Sequence, residues 1–244
     1  MTLALVIIVK NGAKGIGGAV ESVKSLVNEI IIVDSGSTDS TIDRAKKYTQ
    51  KVYYKKFKND FSKLRNFAHS KATTDWILVL DADEVLYNNA FGSIPQLIKS
   101  LKYDGYWFRR RWYYDGKHYL KHGLFYPDYQ LRLFRNKPKY RYIQRVHEEL
   151  TIPHEKTQQI DADIYHYNKS LTQNPMYTKL AALDFKDLKK PKIWYLWQTI
   201  YTFINMFFVA LLRGKGILDG WIGIKAHYYF AVSITKAYWE AIWS

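Results

Sequence analysis

Cysteine is absent from the 244 residues, which rules out a disulfide framework and any thiolate metal site. A bound metal would have to use oxygen or imidazole ligands. With only 6 Pro and 13 Gly and no low-complexity tract, the chain is not disordered or fibrous. Acids are scarce as well: 22 stand against 37 Lys plus Arg, a formal charge of +15. Such a balance calls for a polyanionic partner, either nucleic acid or an anionic membrane surface. No basic segment, apolar core and small-residue cleavage site open the chain, because Leu3 to Val9 runs straight into Lys10-Asn11-Gly12. The N-terminal domain is accordingly expected to be cytosolic.

What the chain has in excess is aromatic, 17% with 21 Tyr and 8 Trp. Trp194, Trp197, Trp221, Trp239 and Trp243 all fall near the C-terminal end. Trp and Tyr favour the membrane–water interface, so the composition points to a membrane surface rather than to nucleic acid. At 28.9 kDa the chain is long enough for one ordinary domain plus an appendage.

Three continuous apolar runs, Leu3 to Val9, Ile30 to Val33 and Trp76 to Leu80, lack polar alternation. That is the pattern of strands buried on both faces of a parallel sheet. Val52-Tyr53-Tyr54 is a shorter strand. Helices are expected between them, over 19–27, 40–48 and 61–71, the last capped by Asp60 with Phe61, Leu64 and Ala68 on its core side. Arg65 and Asn66 then point toward the ligand edge. Strand and helix alternate over residues 3–80, which specifies right-handed βαβ units. The glycine-bearing loop Lys10 to Gly18 matches neither common phosphate-binding pattern.

Two of these strands end in acid: Asp34-Ser35-Gly36 follows one and Asp81-Ala82-Asp83-Glu84 another. Ligands of open α/β sheets bind outside the carboxyl ends of the strands, so these acids flank one crevice if the strands are neighbours. Asp81 and Asp83 suit a hard divalent cation that also takes diphosphate oxygens; the other reading is a plain strand-to-helix turn with capping acids. Beyond Glu84 a helix is expected near Pro95 to Lys102. Residues 106–114 and 117–125 then form a hairpin about Asp115-Gly116, and Gln130 to Arg135 alternates as a half-buried strand. Together they read as an antiparallel extension of the sheet.

Pro191 marks a change of texture. Ile193 to Leu212 is apolar except for Gln198, Thr199, Thr202 and Asn205, which lie three and four apart on one helical stripe. Lys189, Lys190 and Lys192 precede this run, and Arg213 and Lys215 follow it. A second aromatic helix occupies 217–243. The reading is a helical hairpin, 191–244, lying in the interface of an anionic leaflet after a domain of residues 1–190; the same helices also suit a homo-oligomer interface.

The motifs resemble the family 2 glycosyltransferases of the GT-A fold, and among them the group that extends the lipopolysaccharide inner core. Val6 to Asn11, Ile32 to Asp39, Phe61-Ser62 with Arg65-Asn66, Asp81 to Glu84, Asp128 to Arg135 and Val146-His147-Glu148 carry the resemblance in order. Gly12 departs from it, since the family usually has an acid there. The resemblance implies a mostly parallel, Rossmann-like α/β sheet with helices on both faces, an antiparallel extension and C-terminal apolar helices. It also implies inverting transfer of a sugar, a hexose foremost, from a nucleotide-diphosphate sugar, with a UDP-sugar favoured. The acceptor would be a hydroxyl of a membrane-linked glycan such as lipopolysaccharide core, with polypeptides also open, at the cytoplasmic face of the membrane. Nucleotide-sugar contacts would come from Val9, Asn11, Asp34, Ser35, Gly36, Arg65, Asp81 and Ala82. Asp83 would ligate Mg²⁺ or Mn²⁺ with His147 as a further ligand, although His147 also reads as a hydrogen-bonded loop histidine. Asp128 would be the general base, with Glu84 as the competing candidate. Two other readings are a basic nucleic-acid-binding protein centred on Arg109-Arg110-Arg111-Trp112, and a non-catalytic membrane-bound scaffold of the same fold. Neither explains the aspartates at the strand ends.

Overall fold

A computed structural model describes residues 1–115, 117–167, 171 and 175–243, the side chain of residue 88 excepted. The chain divides into two compact units. The first comprises Met1–Arg110, Tyr129–Ile143 and Glu148–Tyr167; the second comprises Arg111–Asp128, Gln144–His147 and Asn168–Ser244.

In the first unit the apolar runs become β1 (Leu3–Val9), β2 (Glu29–Asp34), β3 (Val52–Tyr54) and β4 (Trp76–Val79). They lie in the order β3-β2-β1-β4 and are all parallel. The sheet continues through strands of the later chain: β5 (Glu84–Leu86), β6 (Gly105–Trp112), β7 (Asp128–Arg135) and β10 (Thr157–His166). Its full order is β3-β2-β1-β4-β7-β6-β10-β5, with β7 antiparallel to β4 and β10 antiparallel to β5. A separate ribbon pairs β8 (Tyr142–Ile143) with β9 (Glu149–Leu150).

Both faces of the parallel half are buried, as continuous apolar strands require. Leu3, Leu5, Ile7, Trp76 and Leu78 pack on one side with residues of α1 (Ile16–Glu21) and α2 (Thr41–Lys46). Ala4, Val6, Ile77 and Val79 face the other, under Leu64 and Ala68 of α3 (Phe61–His69) and Tyr142 of the ribbon. The helix expected near Pro95 to Lys102 is only the single turn α5 (Ile94–Leu97), preceded by another, α4 (Asn88–Phe91); the two return Ile94 and Ala90 to the first side. Each fully buried Leu or Ile contributes about 1.5–3 kcal/mol, so the two faces supply the framework that fixes the strand ends.

The second unit is dominated by α6 (Pro175–Lys186), α7 (Lys192–Phe203), a π-helix (Ile204–Arg213) that continues α7, and α8 (Gly220–Trp243). The sequence placed a boundary at Pro191, yet α6, upstream of it, packs on α8. The Phe185 and Tyr238 rings stack with centroids 4.0 Å apart, and Thr178 Oγ1 lies 2.9 Å from Ser233 Oγ. The expected return strand over 117–125 is reduced to a few rungs: Tyr113 bridges Tyr119, and the Leu120 amide donates to the Trp112 carbonyl. Its physical rival is Asp219, whose Oδ2 accepts the next two amides, of Lys121 and His122, at 2.9 and 3.0 Å. Gly116 of the expected turn lies outside the described residues.

Candidate active site

The carboxyl ends of β1 and β2 are adjacent, Val9 opposite Asp34. The loops that leave them are tied together by their own polar groups. Asp34, buried, accepts the amides of Gly36 and Ser37, a short Asx turn in which Gly36 takes a φ of +112° that side chains disfavour. The Ser35 amide donates to the Val9 carbonyl at 2.9 Å. Asn11 closes the seam: its amide donates to Ser37 Oγ at 2.8 Å, and its side-chain oxygen accepts the Thr38 amide at 2.8 Å. Val9, Asn11, Asp34, Ser35 and Gly36 are thus brought into one rim by backbone amides that donate to side-chain oxygens and to the Val9 carbonyl.

Gly12 and Gly15 explain how Ala82 joins that rim. A Cβ on Gly12 would meet Val9 Cγ2 at 2.5 Å and Ala82 Cβ at 3.0 Å, and one on Gly15 would overlap the Ala82 carbonyl. The glycine loop therefore lies directly against the Asp81-Ala82-Asp83 turn. A side chain at position 12 would have to displace this contact.

Asp81 and Asp83 live in different environments. Asp81 is the centre of a buried ion network: Oδ1 accepts from Arg65 Nη2 and Oδ2 from Arg132 Nη2, both at 3.0 Å. Burial alone would raise its carboxyl, but Arg132 and Arg65 override that and hold it well below the usual carboxylate range. Arg65 also pairs with Glu148, and although burial opposes the charge, Glu148 and Asp81 raise its pKa well above the ordinary value. The helical reading sends Arg65 toward the ligand edge; it meets Asp81 there, at the carboxyl end of β4, yet is only 8% exposed because Asp81 and Glu148 compensate its charge. Arg132 departs from its expected place, since it occupies a polar step of an alternating strand yet is buried against Asp81 and Glu84. Burial likewise pushes the neighbouring Tyr142 phenol up to about 12, and burial with the Arg65 charge pushes His69 down to about 3.

Glu84 cannot serve as the base that the sequence allowed as a competitor. Its side chain is 0% exposed, paired with Arg132 and, at 3.4 Å, with Arg110, while its Oε2 accepts the Asp81 amide at 3.1 Å. Arg109, of the stretch once open to nucleic acid, is bound to Asp161 and Asp163. We expect Arg132→Met to cost about 3–5 kcal/mol in urea unfolding, because it strands a buried carboxylate. The double variant with Glu84→Gln should recover most of that loss. A cost under about 1 kcal/mol for Arg132→Met would mean that the network is hydrated rather than buried.

Asp83 is different: its side chain is 52% exposed, and its Oδ2 lies 3.0 Å from His166 Nε2. The antiparallel pairing of β10 with β5 produces this contact by setting His166 opposite Glu84, and the Tyr167 amide fixes the turn by donating to the Asp83 carbonyl at 3.0 Å. Two ligands at adjacent corners of an octahedron of radius about 2.1 Å sit about 3 Å apart, so this carboxylate and imidazole fit one Mg²⁺ or Mn²⁺. Among the described residues no group of three or more His, Cys, Asp or Glu is arranged to hold a metal. A cation here would therefore take its remaining ligands from water and a diphosphate, the usual mode of Mg²⁺. The sequence had offered His147 instead. His147 is an exposed residue of the second unit with φ +54°, on a segment that Arg145 fastens to Asp184 and Asp187 of the same unit. Nothing local in the sequence marks His166, because its proximity to Asp83 comes from pairing across 83 residues.

Asp128, the first residue of β7, belongs to the second unit. Its Oδ2 accepts a hydrogen bond from Trp112 Nε1 at 2.7 Å. The Trp112 ring is itself held edge-on against Phe125, with centroids 5.3 Å apart.

The sequence profile of glycosyl transferase family 2 matches residues 4–160. The SPbeta prophage-derived glycosyltransferase SunS of Bacillus subtilis is 36% identical over 150 residues, covering 61% of this chain and 34% of that protein. An uncharacterized glycosyltransferase of Rickettsia felis is 40% identical over 100 residues, covering 41% of this chain and 35% of its own length. The chain thus spans about a third of the length of these curated relatives. Among solved structures, a mycobacterial protein superposes with a TM-score of 0.56 at 15% identity, covering 78% of this chain and 75% of its own. Residues 1–349 of S. aureus TarS, in complex with UDP, superpose with a TM-score of 0.50 at 14% identity, covering 75% and 64%. These likenesses agree with the mixed, mostly parallel GT-A arrangement of the sheet. With the family profile running from β1 into β10, across both acid-bearing strand ends, this chain belongs to glycosyl transferase family 2.

Proposed function

We propose that this glycosyltransferase moves a hexose from a UDP-sugar to a hydroxyl of a membrane-linked glycan, with inversion at the anomeric carbon. The observation that carries the reading is the contrast within one motif: Asp81 is saturated by two arginines, whereas the neighbouring Asp83 is half exposed beside an imidazole. The rim of Val9, Asn11, Asp34, Ser35 and Gly36 would seat the nucleoside, as the UDP complex of TarS favours for a protein of this fold. Asp83 and His166 would hold Mg²⁺ or Mn²⁺, which when bound neutralises charge on the diphosphate as a Lewis acid. Asp128 takes the acceptor hydroxyl proton as the oxygen forms its bond to the anomeric carbon; the bond from that carbon to the diphosphate breaks, and UDP leaves with the electron pair. The lipopolysaccharide core is the acceptor we favour, since an anionic, lipid-linked glycan complements a chain of charge +15. The matching location is the cytoplasmic face of a membrane.

Calorimetric titration with UDP and with GDP, each with and without Mn²⁺, tests this reading. UDP binding at least about tenfold tighter with the metal is the expected result. Binding of neither nucleotide, together with salt-sensitive binding of an oligonucleotide, would overturn it in favour of the nucleic-acid reading.

A further inference from the structure

The helix formed by α7 and the π-helix is built inside out. Its outermost side chains include Ile193, Trp197, Ile200, Ile204, Phe208 and Leu212, spaced three and four apart, with Ile193 71% and Trp197 62% exposed. Every exposed residue from 193 to 212 is apolar or aromatic. The polar stripe lies on the sheltered side: Thr202 is buried, and Gln198, Thr199 and Asn205 are half-buried. Two of them bond within the helix, Thr199 Oγ1 donating to the Tyr195 carbonyl at 2.8 Å and Asn205 Nδ2 to the Tyr201 carbonyl at 3.0 Å. The bundle repeats the inversion between α6 and α8, where Thr178 and Ser233 share a buried hydrogen bond. Water selects the opposite arrangement in a helix that it solvates.

We propose that this outer face docks on an anionic lipid bilayer, its apolar stripe at the boundary of headgroups and acyl chains. Charge decides between lipid and a second copy of the chain. Lys189, Lys190 and Lys192 stand at one end of the stripe and Arg213 and Lys215 at the other, placing cations at both ends of an apolar band, where a chain of charge +15 would repel its copy. Tryptophan completes the rim: Lys192 Nζ lies 4.9 Å from the Trp243 ring centroid, and Lys225 Nζ lies 5.5 Å from that of Trp221. The helix lies along the surface rather than crossing it. By length and hydropathy residues 192–212 could span. But α8 packs antiparallel beside them, with Tyr195 against Ala241 and Ile242, and carries exposed Lys225 and Lys236 that a spanning hairpin would sink into hydrocarbon.

The test is co-sedimentation of the full chain with phosphatidylcholine vesicles, with and without phosphatidylglycerol, for the native protein and a Trp197→Glu, Ile200→Glu variant. Both positions are exposed, so the variant should keep its melting temperature and its UDP binding. Phosphatidylglycerol should raise the native partition coefficient about tenfold or more, high salt should reverse much of the gain, and the variant should lose about tenfold or more. Absence of binding to the anionic vesicles, or equal binding by the variant, overturns the proposal. So does a native dimer that the variant converts to monomer while vesicle binding is unchanged, which would assign the stripe to a second copy. The readout needs no sugar transfer, so the outcome is independent of the catalytic reading.

Discussion

Asp83→Ala should lower the rate of sugar transfer by about 10²–10⁴-fold while leaving the fold intact. The magnitude follows from what the residue is asked to supply: neutralising a leaving diphosphate is worth several kcal/mol, and each 1.36 kcal/mol is tenfold in rate. The intact fold follows from its surroundings, since the side chain is 52% exposed and lies outside both apolar faces of the sheet, where substitutions cost little stability. Asp81→Asn is the informative contrast. It withdraws a charge from between Arg65 and Arg132, so it should cost stability as well as activity, by about 3 kcal/mol in urea unfolding. UDP affinity should lose its Mn²⁺ dependence in Asp83→Ala, and His166→Ala should weaken metal affinity about 10–100-fold. Full activity in Asp83→Ala would sink the metal assignment, and an unchanged metal affinity in His166→Ala would remove the imidazole from the site.

The family resemblance assigns these two aspartates different roles, but the contrast in their surroundings, one carboxylate between two arginines and the other half exposed, cannot be read from two acids one residue apart. What was legible was everything set by short-range pattern: the apolar runs that became β1, β2 and β4, the Asp60 cap on α3, whose side chain accepts the Lys63 amide, and the placing of Asp34 and Asp81 at strand ends. Long-range pairing supplied the rest. Arg65 finds Glu148 across 83 residues and Arg132 finds Glu84 across 48, so arginines whose burial nothing local signals are held in a compensated interior beside Asp81. The pairing of β10 with β5 likewise chose His166 to stand beside Asp83. The C-terminal helix shows the same limit in another form. Its polar stripe of Gln198, Thr199, Thr202 and Asn205 is plain from spacing, but a stripe does not say which side faces inward; contact with α8 decides that.

For Asp128 we expect the Asn variant to hold UDP within about twofold of the native affinity while kcat falls by about 10²–10⁴-fold, the usual contribution of a positioned base. Asparagine keeps an oxygen to accept from Trp112 Nε1, so that hydrogen bond is retained while the proton-accepting charge is lost. Trp112 is a positioning residue in this account. Trp112→Phe preserves an aromatic ring against Phe125 and removes the donor, and a hydrogen bond to a charged group is worth about 1.5–3 kcal/mol. Its effect should therefore be a fall of about tenfold or more in kcat with KM for the donor sugar unchanged. A purely structural role would instead lower stability and move KM and kcat together. An unchanged rate in Asp128→Asn would remove that residue from the chemistry. It would not return the role to Glu84, whose fully buried carboxylate is held between Arg132 and Arg110, out of reach of any acceptor hydroxyl.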